Sequence, residues 1–256
     1  MTRRWLTLIT LGAILTLPRL AGAEGETCAT ATTIVPDGRI ITSTIPAGLT
    51  YYFQVTQRTG SSYSVEFHNA IGVAGETPGT LTVYFDSSCT TAINGIQDTT
   101  AIEPADPNGR RVSYTTFENQ NPTYRLKLSN GSSSTITYSF SVSETALYSA
   151  LWSSSMNQNT YYSFVNTTSG SITCTLTLTT AAGVFAAATT FTIGPGLSAS
   201  TNTVAMNVAP GLTGTARLTH NGPPGAILIE ADIADSTTTP PYIQPVKFTA
   251  VRERTR

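Results

Sequence analysis

Lysine occurs twice in these 256 residues, histidine twice and cysteine three times, and charged residues of all kinds make up 11%. Each scarcity excludes something. With 14 Lys and Arg against 15 acids there is no basic stripe to follow a phosphate backbone, so nucleic acid is not an expected partner. His68 and His220 fall in different halves of the chain, which argues against a histidine metal cluster. The nearest approach to a serine-nucleophile elbow, Gly196-Leu197-Ser198-Ala199-Ser200, lacks the second glycine and a strand-to-helix context, and reads as a turn feeding a strand. Past residue 23 no apolar run is long enough to cross a bilayer as a helix, so no membrane span is expected in the mature chain.

What is present begins with Arg3 and Arg4, an apolar run from Trp5 to Leu17, and Ala21-Gly22-Ala23. That order is the pattern of a secretory signal peptide over residues 1–23, so the mature chain is expected to start at Glu24 and to be secreted or periplasmic, with surface association open. Removing Arg3, Arg4 and Arg19 leaves a mature charge near −4. The basic C-terminal end carries no recognisable anchor or sorting pattern. Threonine occurs 47 times, and Thr-rich, charge-poor sequence punctuated by Gly and Pro suits wet sheet faces rather than amphipathic helices. The expected fold class is all-β.

Alternation with a period of two runs through the chain. Tyr51, Phe53 and Val55 share a face, as do Tyr63, Val65 and Phe67; Leu81, Val83 and Phe85; Tyr124, Leu126 and Leu128; and Ile136, Tyr138, Phe140 and Val142. Turn signals such as Pro36-Asp37-Gly38 and Asn130-Gly131 separate these segments. About seven strands over residues 24–143 suffice for one antiparallel β-sandwich. After Glu144 the pattern restarts without a long linker. Strands are expected near 161–165, 171–178, 187–193, 199–208, 213–220, 226–234 and 243–250, so residues 144–256 are read as a second sandwich. Thr145–Leu151 and Ala181–Ala188 are the only stretches with helical character, and in this context both are read as strand or loop.

His220 ends a strand on the side of Ala216 and Leu218, so its ring is expected at the rim of a core, with a structural role. If Leu218 pairs with Ile229 in a hairpin closed by Asn221–Ala226, then Arg217 faces Glu230. His68 has wet-face parity.

Asp86, Asp98, Glu103 and Asp106 cluster around the segment from Asp86 to Gly109, with Asn94 and Asn108 nearby. This segment is either a solvated loop or a calcium site, although no EF-hand spacing is present. In an exported chain two of the three cysteines should pair. Cys28 and Cys89 lie in one half and outside regular strands, so they form the expected disulfide; Cys174 shares a face with Ile172, Leu176 and Leu178 and is expected as a buried thiol. Trp152, with Tyr148, Tyr161 and Tyr162 close in sequence, either fills a core or forms an aromatic platform for a ligand. The Thr173, Thr175, Thr177 and Thr179 ladder needs no ligand to explain it.

The run ETCATATTIVPDGRIITSTIPAGLTYYFQVTQRTGSSYSVEFHN, continued by GTLTVYFDSSC to residue 89, resembles the bacterial pre-peptidase C-terminal domain. That resemblance implies a β-sandwich appended to secreted hydrolases, itself without catalytic residues. YYSFVNTTSGSITCTLTLTTAAG, GTARLTHNGPPGAI and YIQPVKF, all beyond residue 144, resemble immunoglobulin-like domains of secreted bacterial proteins, which also implies no active-site residues. The expectation is therefore a non-enzymatic binding or structural module at the cell exterior, without a required cofactor, meeting an extracellular polysaccharide or protein. Carbohydrate binding near Trp152, assembly through open sheet edges, and an unrecognised hydrolase are the alternatives.

Overall fold

The computed structural model of the chain describes residues 25–69, 80–84, 86–97, 100–103, 106–118, 123–235 and 237–250. It describes their side chains except at 68, 69, 80, 81, 93–97, 100–103 and 106–110. The expected signal peptide at residues 1–23 lies outside this set. Among the described residues the regular structure is strand, apart from one 3-10 turn at Cys28–Thr30, with turns between the strands and no α-helix.

The first ten strands are β1 (Thr32–Ile34), β2 (Ile41–Ile45), β3 (Thr50–Thr56), β4 (Ser62–Asn69), β5 (Thr80–Tyr84), β6 (Ala92–Gln97), β7 (Thr100–Glu103), β8 (Asp106–Thr115), β9 (Thr123–Ser129) and β10 (Ile136–Glu144). They form two five-stranded sheets, ordered β1-β3-β9-β5-β6 and β2-β10-β4-β8-β7. All pairings are antiparallel except β1 with β3. Inner-face residues of the two sheets make one core. Phe53, Val55, Tyr124 and Leu126 from the first meet Val65, Phe67, Tyr138 and Phe140 from the second, with Phe53 and Phe140 ring centroids 4.6 Å apart. In β10 burial alternates residue by residue, as period-two spacing requires when one sheet face packs and the other is wet.

The remaining strands are β11 (Leu147–Ser154), β12 (Gln158–Asn166), β13 (Ile172–Thr180), β14 (Phe185–Ile193), β15 (Ser198–Asn202), β16 (Leu212–His220), β17 (Ile227–Asp235), β18 (Tyr242–Pro245) and β19 (Thr249–Ala250). Their sheets run β14-β13-β16-β11-β19 and β15-β12-β17-β18. Trp152, Cys174, Leu176 and Leu218 from one face Phe164, Ile227 and Ile233 from the other in a second, separate core. Cys174 is the buried free thiol, and burial pushes its pKa up to about 12.

Alternation misleads at three points. The expected strand near 243–250 is two strands in different sheets, β18 beside β17 and β19 beside β11. Leu218 does not pair with Ile229: β16 pairs with β11 and β13, and β17 with β12 and β18, so the Asn221–Ala226 turn crosses from one sheet to the other. Both strands turn their apolar faces to the same core, and alternation reports a face but not a neighbour. Residues 199–208 are not one strand, because β15 ends at Asn202 and a turn follows with Asn207 at φ 55°.

Only Thr145 and Ala146 separate the two sandwiches, and the join is hydrogen-bonded. Thr145 N donates to Ser62 O at 2.8 Å, and Ser62 Oγ accepts from Thr145 Oγ1 at 2.9 Å and from His220 N at 3.2 Å. The buried Glu144 carboxylate accepts from Ser61 Oγ at 2.6 Å and from the Tyr148 hydroxyl at 2.8 Å, with Arg58 Nε at 3.8 Å. Arg217 pairs with Glu118 of the first sandwich, not with Glu230. Gly60, at φ +65°, lies beneath that pair: a Cβ there would meet Glu118 Oε1 at 2.8 Å and the Arg217 guanidinium at 2.9 Å.

Candidate functional site: the outer face around Tyr161

The four aromatic residues close in sequence do not share one surface: Trp152 and Tyr162 lie in the core of the second sandwich, and Tyr148 and Tyr161 on different sheets. Trp152 is 0% exposed, and its indole N–H donates to Thr179 O at 3.1 Å and Thr215 O at 3.0 Å. The cause is a bulge. Ser149 lies opposite Ala216 and Trp152 opposite Gly214, so one extra residue in β11 reverses the parity and turns Trp152 inward. Opposite Trp152, Gly214 lets the β13 backbone come close, since a Cβ at that position would stand 1.9 Å from Thr179 O. Tyr162 also faces the core, stacked near Phe164 at 6.3 Å, and burial raises its pKa. An aromatic platform of Trp152 and Tyr162 is thus ruled out by their burial.

Tyr148 belongs to the junction. Its ring lines a concavity of about 420 Å³ with Arg217, Thr179, Thr215 and Thr249, Arg58 lies 6.0 Å from the ring centroid, and burial pushes its hydroxyl up to about 12.

Tyr161 remains. As the outward neighbour of Tyr162 on β12 it is 49% exposed, on the far sheet from Tyr148. Register places Asn202 of β15 on one side of it and Asp232 of β17 on the other; one step along, Ser163 stands between Ser200 and Glu230. These side chains line a concavity of about 340 Å³. Strands lie about 4.8 Å apart, so the two rows offer hydroxyl, amide and carboxylate groups at regular intervals around one aromatic ring. Among the described residues no cation pairs with Glu230 or Asp232, which leaves their oxygens as acceptors. Alternation already puts Glu230 and Asp232 outside; Asn202 and Ser200 reach the site only through strand pairing, which has no signal in the sequence.

The segment from Asp86 to Gly109 carries β6, β7 and the start of β8, with Glu103 opposite Asp106 in the β7–β8 hairpin. Asp98 and the side chains of Glu103 and Asp106 lie outside the described residues. Asp86 is committed to its own turn: its carboxylate accepts from Ser88 N at 2.8 Å, Thr90 N at 3.1 Å and Thr91 N at 2.6 Å. Partial desolvation opposes ionisation there, but these amide donors outweigh it and hold the carboxyl below its usual range. The same turn presents Cys89, at φ 54°, to Cys28, and the two form a disulfide.

His220 is 3% exposed, and its Nδ1 accepts from Gly222 N at 3.2 Å. Burial lowers its pKa to about 4 against the opposing hydrogen bond with the Thr145 backbone, so at neutral pH it is an uncharged structural group. His68 is placed by its backbone alone, opposite Ser139.

The described residues thus define an all-β chain of two successive sandwiches with one disulfide. No protein-family model matches the chain, and no curated protein sequence does. Among solved structures it is similar to the pre-peptidase C-terminal domain of collagenase from Bacillus anthracis, at 13% identity and TM-score 0.34, over 43% of this chain and 92% of that one. It is also similar to the full extracellular region of zebrafish Gpr126/Adgrg6, at 9% identity and TM-score 0.25, over 88% of this chain and 31% of that one. A beta-glucuronidase from glycoside hydrolase family 2 matches at 9% identity and TM-score 0.20, over 87% of this chain and 25% of that one.

Proposed function

We propose that the chain is an exported, non-catalytic recognition module at a bacterial cell exterior, and that the Tyr161 face of its second sandwich takes polysaccharide. Export is supported by the leader-like residues 1–23 and by the Cys28–Cys89 disulfide, which suits an oxidising compartment. No helix among the described residues is long and apolar enough to cross a membrane. The first sandwich, similar to a pre-peptidase C-terminal domain, and the second, read as immunoglobulin-like, serve as scaffold.

The observation that carries the reading is Tyr161 itself, an exposed ring between Asn202 and Asp232 on a strand face that also carries Ser163 and Glu230 and, further along, the exposed Val165 and Leu228. A pyranose presents an apolar face of C–H groups with hydroxyls around its rim. The phenol ring matches the first by stacking and the surrounding amide, hydroxyl and carboxylate groups match the second. The reading requires no cofactor, metal or nucleophile. The inward, uncharged His220 and the inert Cys174 thiol accord with a non-catalytic chain.

The test is depletion of the purified chain from solution by cellulose, chitin, starch and peptidoglycan, with collagen as a protein matrix. Retention by one polysaccharide that falls about tenfold in Tyr161→Ala supports the reading. Retention by none, or retention indifferent to Tyr161, overturns it.

A further inference from the structure

From Thr145 to Ala216 no side chain carries a charge, and β11 through β15 lie wholly in that stretch. Within it β14 forms the open edge of its sheet. It runs nine residues, Phe-Ala-Ala-Ala-Thr-Thr-Phe-Thr-Ile, whereas no other edge strand among the described residues exceeds six. The other edge strands are short, and β18 ends in Pro245 and follows Pro240-Pro241. From Ala187 to Ile193 alternate residues of β14 turn their N–H and C=O away from β13, with no proline, lysine or glutamate to discourage a further strand; a bulge at Ala186 sets Phe185 apart from this run. Phe185 is 65% exposed at its start.

We infer that β14 is a homotypic interface, pairing antiparallel with β14 of a second copy about a two-fold axis at Thr189 and joining two five-stranded sheets into one. The occupant follows from the strand's own sequence. That axis sets Ala187 opposite the partner's Phe191 and Ala188 opposite the partner's Thr190, so across Ala187–Phe191 small residues meet bulkier ones and inner faces meet inner faces, with the bulged Phe185 end lying outside this paired run. Phe191 is half-buried, 4.8 Å from Phe164, and the methyl of the partner's Ala187 leaves it room. A charged edge brought against its own copy is repelled, and an uncharged one is not. The contact is isologous, so it closes at two copies. It uses a different edge of the sandwich from the Tyr161 face and stands or falls independently of polysaccharide binding.

Sedimentation of the purified chain over a range of concentrations reads this directly. A dimer is expected, unmoved by raised salt because no charge takes part. Thr190→Lys and Thr192→Lys, both on the exposed face of β14, are each expected to give monomer while Trp152 fluorescence and thermal unfolding of the second sandwich stay as before. Amide exchange provides a second readout on the unsubstituted chain, with outward β14 amides protected at high concentration and released on dilution. A monomeric unsubstituted chain, species larger than a dimer, or a dimer that both lysine variants leave intact would overturn the inference.

Discussion

The hydroxyl of Tyr148 in the second sandwich donates to the carboxylate of Glu144, the last residue of the first, at 2.8 Å. Ser61 Oγ reaches the same oxygen at 2.6 Å, and the carboxylate is nearly removed from solvent. A buried carboxylate is tolerable only with its acceptor sites filled. This small network therefore makes the stability of each sandwich depend on its neighbour. Tyr148→Phe removes one charge-assisted bond and should cost about 1.5–3 kcal/mol in denaturant unfolding. It should also separate the unfolding of the two sandwiches, which Trp152 fluorescence, reporting the second alone, will detect against far-UV circular dichroism.

The junction should also be sensitive to acid through His220. Its folded pKa of about 4 lies below the ordinary 6.5, so between those values the unfolded chain binds a proton that the folded one does not. Stability from the neutral ring is complete above pH 6.5 and declines as pH falls towards 4, by about 3 kcal/mol in all. His220→Gln should flatten that part of the stability–pH curve relative to the unsubstituted chain.

Reduction of Cys28–Cys89 should act on the first sandwich. Opening a loop with a separation of 61 residues removes roughly 4 kcal/mol in the chain-entropy picture. Melting in the presence of reductant should show a lowered transition for the first sandwich. The Trp152 signal should move less, and only through the junction.

Trp152→Ala leaves a large void and frees two carbonyls, so a loss of about 3–5 kcal/mol is expected from chemical denaturation. At temperatures where the variant is still folded, retention by polysaccharide should be unchanged, because the ring lies in the core and not on the Tyr161 face.

Much of this architecture was legible from alternation. Phe53, Val65, Leu126 and Phe140 are inward as their parity demands, and Glu230 and Asp232 outward. The inward rim position of His220 was legible on the same ground, as was the burial of Cys174. What alternation cannot carry is partnership. Arg217 and Glu230 have the right parity for a pair, but their strands lie in opposite sheets, and the cation goes to Glu118 instead. Nor does it register an inserted residue: the β11 bulge alone separates Trp152 in the core from Trp152 on the surface, and no glycine or proline in the Ser149–Trp152 stretch marks it. Asn202, Ser200 and Tyr161 converge only because β15 and β12 are paired, and their spacing in sequence does not report that contact.

The central claim, that an exposed ring and the polar row around it recognise polysaccharide, rests on Tyr161. The most direct measurement is titration of the chain with soluble fragments of the retaining polysaccharide, following ring and amide signals by nuclear magnetic resonance. The account predicts that the largest shifts fall on Tyr161, Asn202 and Asp232 and that Tyr161→Ala abolishes them. Shifts centred on the Tyr148 concavity or on the first sandwich, with Tyr161 unmoved, would contradict it.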